Sequence, residues 1–101
     1  MTRVTTLVLG IEEGKSFYAQ DTKIVISKIK SPTVYEVEVQ GPITKQFVVT
    51  DRSLVTVSTN PLVQLGVGKN QTKSTARVLI SAPENVKLLR EELYEEGSNG
   101  G

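Results

Sequence analysis

Cysteine, histidine and tryptophan are absent from this chain of 101 residues. Without cysteine there is no disulfide framework and no thiolate chemistry, and a cytoplasmic location is compatible with that. Without histidine the commonest general base is missing, and so is the usual zinc ligand. A catalyst built here would have to use lysine or carboxylates alone. Asp21 and Asp51 each stand beside a turn, where Asp is favoured for backbone reasons. Glu36 and Glu38 share one face of an alternating segment and read as a solvated surface. The expectation is therefore a protein that is no enzyme, with no catalytic residues, no metal site and no cofactor. Gly66-x-Gly68-Lys69 lacks the spacing and the following helix of a phosphate loop. Asn70-Gln71-Thr72 fits a glycosylation acceptor pattern, but nothing accompanies it that points to secretion.

Long hydrophobic runs are missing too. No segment reaches transmembrane length, and the first six residues, which include Arg3, hold no signal-peptide core. The reading is a cytoplasmic protein with no membrane partner. Aromatic residues make up 5% of the chain and hydrophobic residues 38%, enough for one domain with a thin core. Chains of this kind often gain burial by oligomerising. The formal net charge is +1, but it is unevenly spread. Residues 1–83 carry ten Lys and Arg against six Asp and Glu, and residues 84–101 carry two against five. A mildly basic body with an acidic tail suits an anionic partner without requiring one.

What the chain does have is period-two alternation broken by frequent turn signals, which predicts an all-β fold. Strands are expected around Leu7-Val8-Leu9, at 16–19, at 24–29, and at 35–40 with Tyr35, Val37 and Val39 on one face. Further strands are expected at 43–50 with Phe47 and Val49 on one face, at 54–58, and at 75–81. Residues 62–67 suit a strand, whereas Gly66, Gly68, Lys69 and Asn70 suit a flexible tip. Ala82-Pro83 is expected to interrupt its strand, and 86–89 to form the last one. A short helix is predicted at 90–96, where Glu91 and Glu92 complement the helix dipole. Gly97 should end it, leaving 97–101 disordered. No internal repeat or low-complexity block stands out.

The stretch from Arg77 to Tyr94 is the most specific. An alternating strand reaches Ala82-Pro83, Val86 and Leu88 follow, and Arg90-Glu91-Glu92-Leu93-Tyr94 closes it. A second piece runs from Leu7-Val8-Leu9 through Gly14-Lys15-Ser16-Phe17 to Asp21. Together these resemble the carbon storage regulator family of bacterial RNA-binding translational regulators. The resemblance covers roughly two fifths of the chain. It implies a family core at 1–30 and 74–96, within one domain spanning 1–96, and a β insertion at 31–73. The insertion would pack as its own sheet or augment the core sheet. It also implies an interlocked homodimer with a short C-terminal helix.

By the same resemblance, the function would be recognition of a GGA element in an mRNA leader or small-RNA hairpin, altering translation or decay. No DNA partner is expected. Leu7, Leu9 and Ile11 of one subunit would form one wall of the RNA site, and Leu88, Arg90, Glu91 and Leu93 of the other subunit would form the opposite wall. Arg90 would clamp phosphate or a base edge. The chain departs from the family after the Leu-x-Leu run. Two consecutive basic residues are usual there, and this chain has Ile11, Glu12 and Glu13. Arg3 would compensate from the N-terminus, with Lys15, Arg77, Lys69 and Lys73 as further sources of positive field. The alternative function is a protein-interaction or assembly module that keeps the fold without binding RNA.

Overall fold

The computed structural model describes residues 3–93. Within them the chain folds into nine strands in two antiparallel sheets. The first sheet holds β1 (Val4–Glu12), β8 (Thr75–Pro83), β7 (Leu62–Val67) and β6 (Val55–Thr59), in that order. The second holds β5 (Lys45–Thr50), β4 (Val34–Gln40), β3 (Thr22–Ser31), β2 (Ser16–Ala19) and β9 (Leu88–Arg90). Among the described residues no helix is long and apolar enough to cross a membrane.

Alternation sets the inner face of each strand, as expected for sheets with one side buried. Tyr35, Val37 and Val39 turn inward from β4, and Ala76, Val78, Ile80 and Ala82 from β8. Both sheets contribute to one core cluster, which also takes in Phe17, Ile24, Ile26, Val63 and Leu65. The tie between sheets is polar. The Tyr35 hydroxyl, within that core, donates to the Gly66 carbonyl of β7 at 2.7 Å. Burial pushes the phenol far above its usual range, so it remains a donor at any ordinary pH.

Residues 31–73 do not form a body of their own. β4 extends the sheet of β2 and β3, and β7 pairs with β8 in the other. As a result β3 and β8 lie in different sheets. Each sheet contains a three-strand meander, β2-β3-β4 or β6-β7-β8, and each reaches a small residue and proline: Gly41-Pro42 just after β4, or Ala82-Pro83 closing β8. The trailing strands then diverge. β5 stays beside its own β4, whereas β9 crosses to β2 of the opposite sheet.

The departures from the alternation reading that bear on the site lie near the C-terminus, where the strand expected at 86–89 is found at Leu88–Arg90. β8 continues through Ala82-Pro83, pairing Ala82 with Thr5 and Pro83 with Val4. Proline is tolerated there because it closes the strand, where a missing N–H costs little. Arg90 belongs to β9 rather than to a helix, and only 91–93 are helical among the described residues. The rest of the expected helix, and the tail at 97–101, lie outside them.

Replacing Tyr35 by Phe removes the inter-sheet donor and leaves the Gly66 carbonyl buried and unpaired. The expected loss is about 1–3 kcal/mol, read by urea denaturation. Because the folded state holds the Tyr35 proton more tightly than the unfolded chain, this contribution is intact below about pH 10 and falls as pH rises beyond it. The alkaline decline in stability should be shallower in Tyr35→Phe.

Candidate functional site

β1 and β9 are end strands of the two sheets, so each leaves one row of backbone N–H and C=O groups unpaired in its sheet. The other end strands, β5 and β6, are consecutive in the chain and joined by residues 51–54. The β1–β9 side instead holds a cleft of about 340 Å³. Gly10, Ile11 and Glu12 of β1 line it, with Lys15 and Ser16 below and Arg90, Glu91 and Glu92 opposite. Both walls come from one chain.

Arg90 reaches this cleft through the register of β9. It pairs with Phe17 and Leu88 pairs with Ala19, both of which are core residues. Residues paired across an antiparallel ladder share a face. Arg90 therefore points inward, yet it is exposed because no strand lies beyond β9. It forms no salt bridge among the described residues, so its guanidinium is available as a five-donor fork.

The acids around it are not equivalent. Ser16 is buried, and its hydroxyl donates to Glu91 Oε2 at 2.6 Å. Lys15 Nζ stands 4.0 Å from Glu91 Oε1. Glu91 is thus held against β2. Glu13 is also engaged. β3 runs past the end of β2, which leaves the Ile29 N–H without a ladder partner, and Glu13 Oε1 accepts from it at 2.9 Å. Glu12 and Glu92 remain the exposed carboxylates of the cleft.

Of the residues that the sequence singles out, the cleft gathers Ile11, Arg90 and Glu91, together with Glu12 and Lys15. Ile11 is buried at its floor. Leu7, Leu9 and Leu88 pack partly buried against the core and do not line the cleft. Leu93 is exposed beyond it. Arg3 stands at the other end of β1, eight residues from Ile11, or roughly 26 Å along an extended strand. Its carbonyl accepts from Glu84 N at 2.9 Å. Gly10 and Ser16 are cleft residues that alternation alone does not reveal, because their place depends on how β9 crosses over. Comparison with protein-family models, with curated proteins and with solved structures finds no match.

Replacing Glu13 by Ala strands the Ile29 N–H and should cost about 1 kcal/mol by chemical denaturation, whereas Glu13→Gln, which keeps an acceptor, should cost less than half of that.

Proposed function

We propose that this chain binds single-stranded RNA in the β1–β9 cleft, taking a GGA element from the loop of an mRNA leader or small-RNA hairpin. Binding alters translation or decay in the cytoplasm by occupying the RNA, with no bond chemistry. The observation that carries this reading is Arg90: a cation without a salt-bridge partner among the described residues, aimed into a cleft between two open strand edges. Unstacked bases are read by backbone groups of that kind, and a guanidinium clamps a phosphate or a guanine edge. The resemblance of 77–94 to the carbon storage regulator family supports it, since the family's RNA-site arginine matches Arg90. In that family two copies share each site. The homodimer that the resemblance implies is kept in this reading, with each chain bringing one β1–β9 cleft.

Charge favours a second reading. Glu12, Glu91 and Glu92 outnumber Lys15 and Arg90 around the cleft, and carboxylates repel phosphate. On that reading the open edge of β1 accepts an added strand from a basic protein segment.

A gel-shift titration with a GGA hairpin at about 50 and 200 mM salt separates the two. RNA binding predicts affinity at the lower salt that weakens at the higher. It also predicts that Arg90→Ala weakens it about 10- to 100-fold, the value of a charge-assisted hydrogen bond lost. Absence of affinity at low salt overturns the RNA reading in favour of the protein one. Sedimentation of the complex should give two chains, and a single chain with one RNA would overturn the homodimer.

A further inference from the structure

The outer face of the β1-β8-β7-β6 sheet differs in charge from the cleft beside it. The four strands together hold one acid, Glu12, and one base, Arg77. On the other sheet β3 carries Lys23, Lys28 and Lys30 and β4 carries Glu36 and Glu38, and Lys30 Nζ stands 3.6 Å from Glu36 Oε1. Register places Val8, Leu79 and Gly66 in one outward row across β1, β8 and β7. Leu54 joins the row, since a methyl added to Gly66 would meet Leu54 Cδ2 at 3.0 Å and Leu79 Cδ2 at 3.3 Å. Val8 and Leu54 are 47% and 45% exposed, so the row is an apolar strip open to solvent.

Arg77 lies beside this strip and leads back to the cleft. It pairs with Gly10, and a methyl there would stand 3.1 Å from Arg77 Nη1. Gly10 also lines the cleft. On its other side Arg77 borders Gly68, whose added methyl would lie 3.2 Å from Arg77 Cβ and 2.9 Å from Val8 Cγ1. Lys69 follows, in a concavity shared with Val8, Gly68, Arg77 and Leu79. Neither Arg77 nor Lys69 forms a salt bridge among the described residues. Gly10 thus forms a low lip between the cleft and an apolar strip bordered by cations.

We infer that this outer face is a second RNA subsite, which takes the single-stranded flank of the element held in the cleft. The inference rests on the RNA reading above. The flank crosses the β1 edge at Gly10, where the Arg77 guanidinium lies against the glycine and meets the incoming phosphate. Its phosphates meet Arg77 and Lys69, and its bases lie on Val8, Leu79 and Leu54. From Gly10 to Gly68 is about 10 Å, two strand spacings. The contact is electrostatic and apolar, so it is indifferent to flank sequence.

Fluorescence anisotropy tests it with two labelled RNAs: a GGA hairpin alone, and the same hairpin with a single-stranded flank. The expected result is tighter binding of the flanked RNA by the wild-type chain. The double variant Arg77→Gln, Lys69→Gln should remove that gain and lower the slope of log affinity against log salt by about 1.4, two phosphate contacts at about 0.7 each. Its affinity for the bare hairpin should fall far less than its affinity for the flanked RNA. Lys69→Gln alone, a change in an exposed loop, should lower the slope by about half as much. An undiminished flank gain in both variants overturns the subsite and leaves the cleft reading standing. No affinity of the wild type for either RNA overturns both.

Discussion

The crossing from β8 to β9 is the constraint on which the site depends. The chain leaves one sheet at Pro83, turns through Glu84 and Asn85, and returns as the end strand of the other. The turn is fixed at several points. Val86 N donates to the Pro83 carbonyl at 2.9 Å, the Val86 side chain is buried, and Gln20 N donates to the Lys87 carbonyl at 2.7 Å. Those contacts bring Leu88 onto Ala19 and Arg90 onto Phe17. A slip of one residue would put Arg90 on the outer face and Leu89 in the cleft, because strand side chains alternate with a period of two. The chemistry of the cleft is thus decided by a turn that contributes no residue to it.

The two meanders explain why β1 and β9 come to end their sheets on the same side. Both reach a small residue and proline, and both are followed by another strand. If the two trailing strands behaved alike, each would cross to the opposite sheet. β5 instead keeps to β4 and occupies that sheet's edge. The two sheets are therefore linked through consecutive strands at β5 and β6, while β1 and β9 end their sheets beside a cleft. One chain in this way builds one composite site.

Much of the fold was legible in the residues, and the part that was not has a physical reason. The inward set Tyr35, Val37 and Val39 followed from strict alternation, and 16–19 was read with its observed bounds. Alternation tells which face a residue takes but not which strand lies beside it. The division of 31–73 between two sheets therefore escaped the sequence, as did the likeness of the two meanders, which share topology and little side-chain identity. Arg90-Glu91-Glu92-Leu93 has the composition of a helix start, yet pairing with β2 keeps Arg90 extended. For the site, Arg90 and Ile11 were visible as a pair. The engagement of Glu13 by the Ile29 N–H was not, because it arises only where β3 outruns β2.

The loop that carries Lys69 is anchored by Gln71, a buried side chain whose amide nitrogen donates to the Ser31 carbonyl at 2.8 Å and whose oxygen accepts from Arg77 N at 3.1 Å. This anchor carries no charge and has no proton to lose. Dissolved ions cannot screen it, and acid or mild base leaves it as it was. The loop's backbone consequently keeps its shape across changes of salt and pH, so its geometry is insulated from the medium around it.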